Sequence, residues 1–257
     1  MDLKLKGRTA LVTGASRGIG EGVAHALAGE GCHLELAARS EPDLQRLATG
    51  LAQAHGIRAR AHRADLLHPE ECVRLAQAAG PVDILVNNAG AIPQASLLDM
   101  DDAAWRAAWE LKVYGFINLT REVFRGMCER GGGVIVNVIG IAGERPVPNY
   151  VAGSMANAAL MAMTRAMGVE GIRRGVRVVG VNPGPTETSR QILRWKARAQ
   201  KQLGDESRWR ELVAGFPRGR LGTVEEVAAS VAFLASDVSS YTNATVLTID
   251  GGWTGMQ

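Results

Sequence analysis

Residues 13–20 read TGASRGIG, and the glycines Gly14, Gly18 and Gly20 run straight into an apolar-periodic stretch, EGVAHALAGEG. Glycine allows the tight turn and close backbone approach that a pyrophosphate requires, while a helix starting there offers unpaired N–H groups and the positive end of its dipole. The loop, with Ser16 and Ile19 between its glycines, is a candidate phosphate cradle. Arg17 lies inside it. Arg39 and Ser40 follow in LAARSEP, where Ala38 fills a place at which an acidic residue would bind a ribose 2′-hydroxyl. Two guanidiniums there suit a 2′-phosphate, so NADP(H) is expected in preference to NAD(H).

The second group with chemistry is Tyr150, at the head of YVAGSMANAAL. A phenol titrates near pH 10 unless a neighbouring cation lowers it, so proton transfer near neutrality needs a charge beside it. A lysine stands in an unusual place nearby. In DDAAWRAAWELKVYGFINLTREVFRGM, the residues Trp105, Trp109, Lys112, Phe116, Leu119, Val123 and Met127 recur at helical spacings of three and four. A lysine within such a stripe must find a partner, reach water by snorkelling, or lose its proton.

These residues need a scaffold, and the chain supplies alternating signals for one. Seven short strand-like runs, at 8–14, 32–38, 58–65, 82–90, 132–140, 176–184 and 244–252, five of them carrying β-branched residues, are separated by longer helical patterns. Alternation of this kind predicts βαβ units and a doubly wound, seven-stranded parallel sheet covered on both faces. At 257 residues, with 46% hydrophobic and 21% charged residues, 1–257 is expected to form one domain. The passage at about 189–222 is too long for an ordinary link and reads as a lid insertion. Its many arginines and lysines fit a solvated helix pair or a cover for an anionic substrate, such as a thioester.

Several function classes are disfavoured. A net charge of +3 leaves no footprint for nucleic acid. Cys32, Cys72 and Cys128 are odd in number, widely spaced and without a CxxC pair, so neither a disulfide framework nor a metal site is expected. No apolar run reaches the roughly 18 residues of a membrane span, and a cytoplasmic protein that does not engage membranes is expected.

TGASRGIG, NNAG at 87–90, the tyrosine segment and NPGPTET at 182–188 occur in this order, and with them the chain resembles the short-chain dehydrogenase/reductase family over essentially its whole length. The resemblance implies a Rossmann-type fold, a nicotinamide cofactor, a small-molecule substrate and usually a homotetramer. It implies that Asp65 and Leu66 lie near the adenine. Asn87, Ala89 and Gly90 would flank the cofactor, and Pro183, Gly184, Thr186 and Thr188 would surround its nicotinamide amide.

The family's asparagine, serine, tyrosine and lysine fall, by motif alignment, on Lys112, Gly140, Tyr150 and Ser154, so only the tyrosine is kept. Lys112 then reads either as a snorkelling residue or as a catalytic replacement for the missing lysine, directed at Tyr150 or the cofactor ribose. The leading expectation is an NADP(H)-dependent oxidoreductase acting on a carbonyl or secondary alcohol through an atypical active site. Its rivals are a catalytically silent NADP(H)-binding protein and a lyase or isomerase on the same scaffold.

Overall fold

A computed structural model describes residues 2–256. The chain alternates strands and helices: β1 (Thr9–Thr13), α1 (Gly18–Gly29), β2 (His33–Ala38), α2 (Glu41–His55), β3 (Ala59–Arg63), α3 (Pro69–Ala79) and β4 (Ile84–Asn87). Next come α4 (Asp102–Trp109), a π-helical turn (Glu110–Tyr114), α5 (Gly115–Arg130), β5 (Gly133–Val138) and α6 (Val151–Gly171). After β6 (Val176–Pro183), α7 (Ser189–Leu203), α8 (Trp209–Val213) and α9 (Val224–Ala235) precede β7 (Val246–Ile249). Each of the seven strand-like runs holds one strand.

All the strands pair in parallel, in the order β3-β2-β1-β4-β5-β6-β7. β1 sits between β2 and β4, so the chain winds outward in both directions from it and leaves a crevice at the carboxyl ends where the two halves part. Strands covered on both faces cannot alternate polar and apolar residues, and β6 is accordingly buried along all eight positions. One apolar layer joins the sheet to α1, α2 and α9. The opposite layer packs α3 and α5 against it.

Two buried charges are accommodated locally. Arg177 on β6 donates to the carbonyls of Leu234, Ser236 and Thr242, closing the end of α9. Glu35 on β2 accepts a forked pair of bonds from Arg60 and bonds His62, both on β3.

The stripe from Trp105 to Met127 does not lie on one continuous α-helix. The π-helical turn interrupts it and adds a residue to that turn, which redirects the side chains between α4 and α5. Residues 189–222 fold as α7, α8 and short connecting turns around a cluster of their own, with Ala199, Trp209, Val213 and Leu221 buried. Among the described residues, no helix is long and apolar enough to cross a membrane.

Candidate functional site

The crevice at the carboxyl ends of the strands opens into a cleft of about 1050 Å³. Its floor is the glycine loop. Gly14 (φ +64°) and Gly18 (φ +60°) adopt left-handed backbone, and a Cβ on Gly20 would lie 2.3 Å from the Gly14 oxygen. Only glycine allows this turn to fold so tightly onto α1. No side chain caps the first turn of α1, so its N–H groups remain available to an anion.

The loop is fastened to the segment after β4. Thr13 Oγ1 accepts bonds from the amides of Asn88 (2.9 Å) and Ala89 (3.1 Å). Asn88 Nδ2 donates to the Thr13 oxygen at 3.0 Å and the Gly14 oxygen at 3.3 Å.

The expected cofactor residues converge here. Gly14, Ser16, Arg17, Gly18 and Ile19 line the cleft, as do Arg39 and Ser40, Asp65 and Leu66, Ala89 and Gly90, and Pro183, Gly184, Thr186 and Thr188. Two expected residues do not. Gly20 lies beneath the loop, where it permits close packing. Asn87 is turned into the sheet, donating to Thr120 Oγ1 at 2.8 Å and Asn137 Oδ1 at 2.9 Å, because a strand residue alternates faces and the cleft lies beyond the strand's end. Its neighbour Asn88 takes the cleft position, and the doubled NN of NNAG was the signal for it. The glycine turn, the open helix terminus and the paired arginines fit a dinucleotide.

The other half of the cleft holds Tyr150, which stands immediately before α6. Its ring folds back over the helix, so that a Cβ on Gly153 would lie 2.1 Å from both Cε1 and Cζ. The phenol therefore occupies the space of a side chain at 153.

Ser154 corrects the sequence reading. It is not in the cleft: its buried Oγ accepts from the Val147 amide at 3.2 Å. Asn157 does line the cleft, one turn beyond Gly153, and Asn157 Nδ2 donates to the Gly140 oxygen at 3.1 Å. Gly140 itself has φ +125° and supplies no side chain. Glu144 and Arg145, in the segment after Gly140, have separate partners. Asn182 and Thr248 donate to Glu144, and Arg145 donates to the Trp253 oxygen.

Lys112 lines the same cleft but is only 8% exposed, so it does not snorkel to bulk solvent. Its Nζ donates to the oxygens of Val138 (3.0 Å) and Ile139 (3.2 Å) at the end of β5, and lies 4.8 Å from the Phe116 ring centre. The stem passes close over Gly90, where a Cβ would meet Lys112 Cδ at 2.5 Å. Burial lowers the lysine to about 8. Burial also raises the Tyr150 phenol, and the cations that counter this rise are Arg194 and Arg190 of α7 rather than Lys112.

The third wall comes from α7, placed over the glycine loop by its cap residue. Thr188 accepts from the Gln191 amide, and its methyl group would lie 3.3 Å from a Cβ on Gly18. Arg190, Arg194, Trp195 and Arg198 line the cleft together with Phe216 and Trp253. Sequence patterning marked the helix as basic without showing which of its cations point inward. Among the described residues, no cluster of three or more His, Cys, Asp or Glu side chains could hold a metal ion.

The match to known proteins extends over nearly the whole chain. A family model described as enoyl-(acyl carrier protein) reductase matches residues 14–254. The chain is 34% identical over 252 residues to 2-keto-3-deoxy-L-fuconate dehydrogenase of Xanthomonas campestris pv. campestris, covering 97% of this chain and 81% of that protein. It is 36% identical over 253 residues to galactitol 2-dehydrogenase (L-tagatose-forming) of Cereibacter sphaeroides, covering 98% and 96%. L-sorbose reductase from Gluconobacter frateurii, solved in complex with NADPH and L-sorbose, superposes with a TM-score of 0.95 at 30% identity over the full length of both chains. With this coverage, the parallel sheet and the glycine-loop cleft, the chain belongs to the short-chain dehydrogenase/reductase family.

Proposed function

We propose that this protein is an NADP(H)-dependent oxidoreductase that interconverts a carbonyl and a secondary alcohol, with Tyr150 as its proton donor and acceptor. The observation that carries the reading is the phenol lying over Gly153 in the same cleft as the glycine loop. Bound there, a nicotinamide would supply or accept the hydride. The chain's own residues do the rest. The glycine loop and the α1 terminus hold the pyrophosphate, while Arg17, Arg39 and Ser40 hold the 2′-phosphate. Tyr150 gives its proton to the carbonyl oxygen in reduction and takes it back in oxidation.

Because burial raises it, the phenol is protonated at neutral pH, which favours its role as a donor. Arg194 and Arg190 are the cations that stabilise its ionised form. The family's tyrosine and lysine stand four residues apart, and the Tyr150 ring sits at position 153, so the place of the lysine is taken by Asn157 rather than Ser154. Lys112 acts as a positioning residue, holding the end of β5 and the Gly140 loop beside the reacting carbon. The family also leads us to expect a homotetramer.

The test is NADPH- and NADH-dependent reduction of a carbonyl panel. Tyr150→Phe should lose roughly 100- to 10,000-fold in kcat. Arg39→Ala should weaken NADPH binding by about 1.5–3 kcal/mol while sparing NADH. One observation favours the silent, cofactor-binding reading: Gly140 has no side-chain donor, and the Asn157 amide already donates to the Gly140 oxygen. NADPH binding without turnover on any substrate of the panel would decide for that reading.

A further inference from the structure

The cations of the 189–222 segment include two contrasting sets. On its outer side, Lys196, Arg208 and Arg210 pair with Glu206 (3.8 Å), Glu211 (2.7 Å) and Glu187 (3.7 Å). Arg190, Arg194 and Arg198, spaced four apart along one face of α7, line the cleft and have no carboxylate partner among the described residues. Asp43 and Asp65 are the acidic residues lining the cleft, and both lie toward its Arg39 end; Asp43 is already bonded to Ser40 and Arg46.

Like charges gathered without a counter-ion repel one another. Enclosure, followed by the fields of Arg17, Arg194 and Arg39, draws Arg190 below the ordinary arginine value. A bound anion relieves such repulsion and is attracted by the summed field of the wall. The arginines also differ in position. Arg190 shares its field with Arg17 and Arg39, the residues assigned to the cofactor phosphates. Arg198 lies farther along α7, its guanidinium 5.2 Å from the Trp195 ring centre.

Around it is an aromatic wall. Trp195 meets Phe216 edge-on at 5.7 Å, and Phe216 meets Trp253 at 5.0 Å. The indole N–H of Trp195 is buried without an acceptor, a second polar group here with a donor to offer.

The geometry points to a substrate anion site, formed by Arg194 and Arg198 against the Trp195–Phe216–Trp253 wall, that selects carboxylate- or phosphate-bearing carbonyl substrates over neutral ones. This rests on the oxidoreductase reading for the reacting end of the molecule. An anion fixed by Arg198 leaves the carbonyl to extend toward Tyr150, with Arg194 between the two. Planar guanidiniums hold a carboxylate or phosphate through forked, charge-assisted bonds, and the orientation thus imposed on the carbonyl is itself a rate factor.

5-Keto-D-gluconate and L-sorbose test this directly, because they share a carbon skeleton and differ by a carboxylate in place of a hydroxymethyl group. Acetoacetyl-CoA and its neutral N-acetylcysteamine thioester form the matching pair for a phosphate source. With NADPH, kcat/KM should favour the anionic member of one pair by at least about tenfold. Arg198→Met should collapse that ratio mainly through KM, and Arg194→Met should collapse it while also changing kcat on both members, since Arg194 acts on Tyr150. Arg198→Lys should retain part of it, and circular dichroism melting confirms that each variant is folded. Equal use of both members of both pairs, or variants that leave the ratio intact, would overturn the proposal.

If nothing turns over, calorimetry on the NADP-loaded protein separates the two claims. Binding of 5-keto-D-gluconate or acetoacetyl-CoA that is lost in Arg198→Met upholds the anion site and removes the oxidoreductase reading. Failure to bind either anion removes the site.

Discussion

Lys112 pays for its place in the cleft with charge. Its partners are two carbonyls and an aromatic ring, none of which neutralises an ammonium, and burial lowers it from 10.5 to about 8. A lysine depressed in the folded state destabilises the fold fully below the folded value, and the penalty is lifted as pH rises toward the unfolded value. Between pH 7 and 10.5 the wild type should therefore gain on Lys112→Met by about 3 kcal/mol. Paired denaturant unfolding at several pH values measures the difference and cancels the thiols, which burial moves the other way, Cys32 to about 12 and Cys72 to about 11. A difference flat with pH would mean that the ammonium is solvated. At this scale the sequence was informative about residue type and weak on direction. The helical stripe marked position 112 as inward-facing, which it is, but hydrogen bonds to Val138 and Ile139 cannot be read from spacing. Nor could spacing show that Ser154 turns to the Val147 amide while Asn157 enters the cleft.

At the scale of elements, the start of α6 and the π-helical turn after α4 bring Tyr150 and Lys112 to the same cleft. Tyr150 precedes the helix with φ −147° and ψ 38°, and this extended-to-helical step lets its ring fold over Gly153. If Tyr150 is the proton donor proposed above, glycine at 153 is what leaves its ring room to sit there. Gly153→Ala, otherwise a helix-favouring change, should push the ring aside, and a misplacement of about 1 Å can cost about 100-fold in rate. NADPH affinity, measured by fluorescence titration, should hold while kcat falls. An unchanged kcat would show that the ring position is not used. The strands and most helices were legible because short strand-like runs alternate with 3.6-residue periodicity, a pattern that follows directly from burial. The π-helical turn was not, since one extra residue leaves the apolar stripe almost intact while redirecting what lies beyond it. The basic segment 189–222 was visible as composition, but its cleft-lining and carboxylate-paired cations separate only when the partners are located.

At the scale of the whole molecule, the outer face of α6 carries exposed apolar residues. Met155 and Val169 are exposed there with Ala158 and Ala162, and a neighbouring groove between α5 and α6 is lined by Ile117, Phe124, Met163 and Met167. Contiguous apolar surface of this kind marks an association site, and small residues let two helices approach closely. The groove is rimmed by Arg121, Arg125, Glu129 and Glu170, charges of both signs that a symmetry-related copy can pair in reverse. The covering partner expected for this face is a second copy of the chain, within a tetramer. Light scattering at micromolar concentration should then give four times the 27.3 kDa chain mass. Met155→Asp should reduce it to dimers or monomers, because each copy would bury an unpaired carboxylate at the interface. Since Met155 and the Tyr150–Gly153 turn share the first turns of α6, dissociation should also lower kcat at constant NADPH affinity. A monomeric wild type, or a Met155→Asp variant of unchanged mass, would show that the face is solvated and that the acid–base turn is held by the subunit alone.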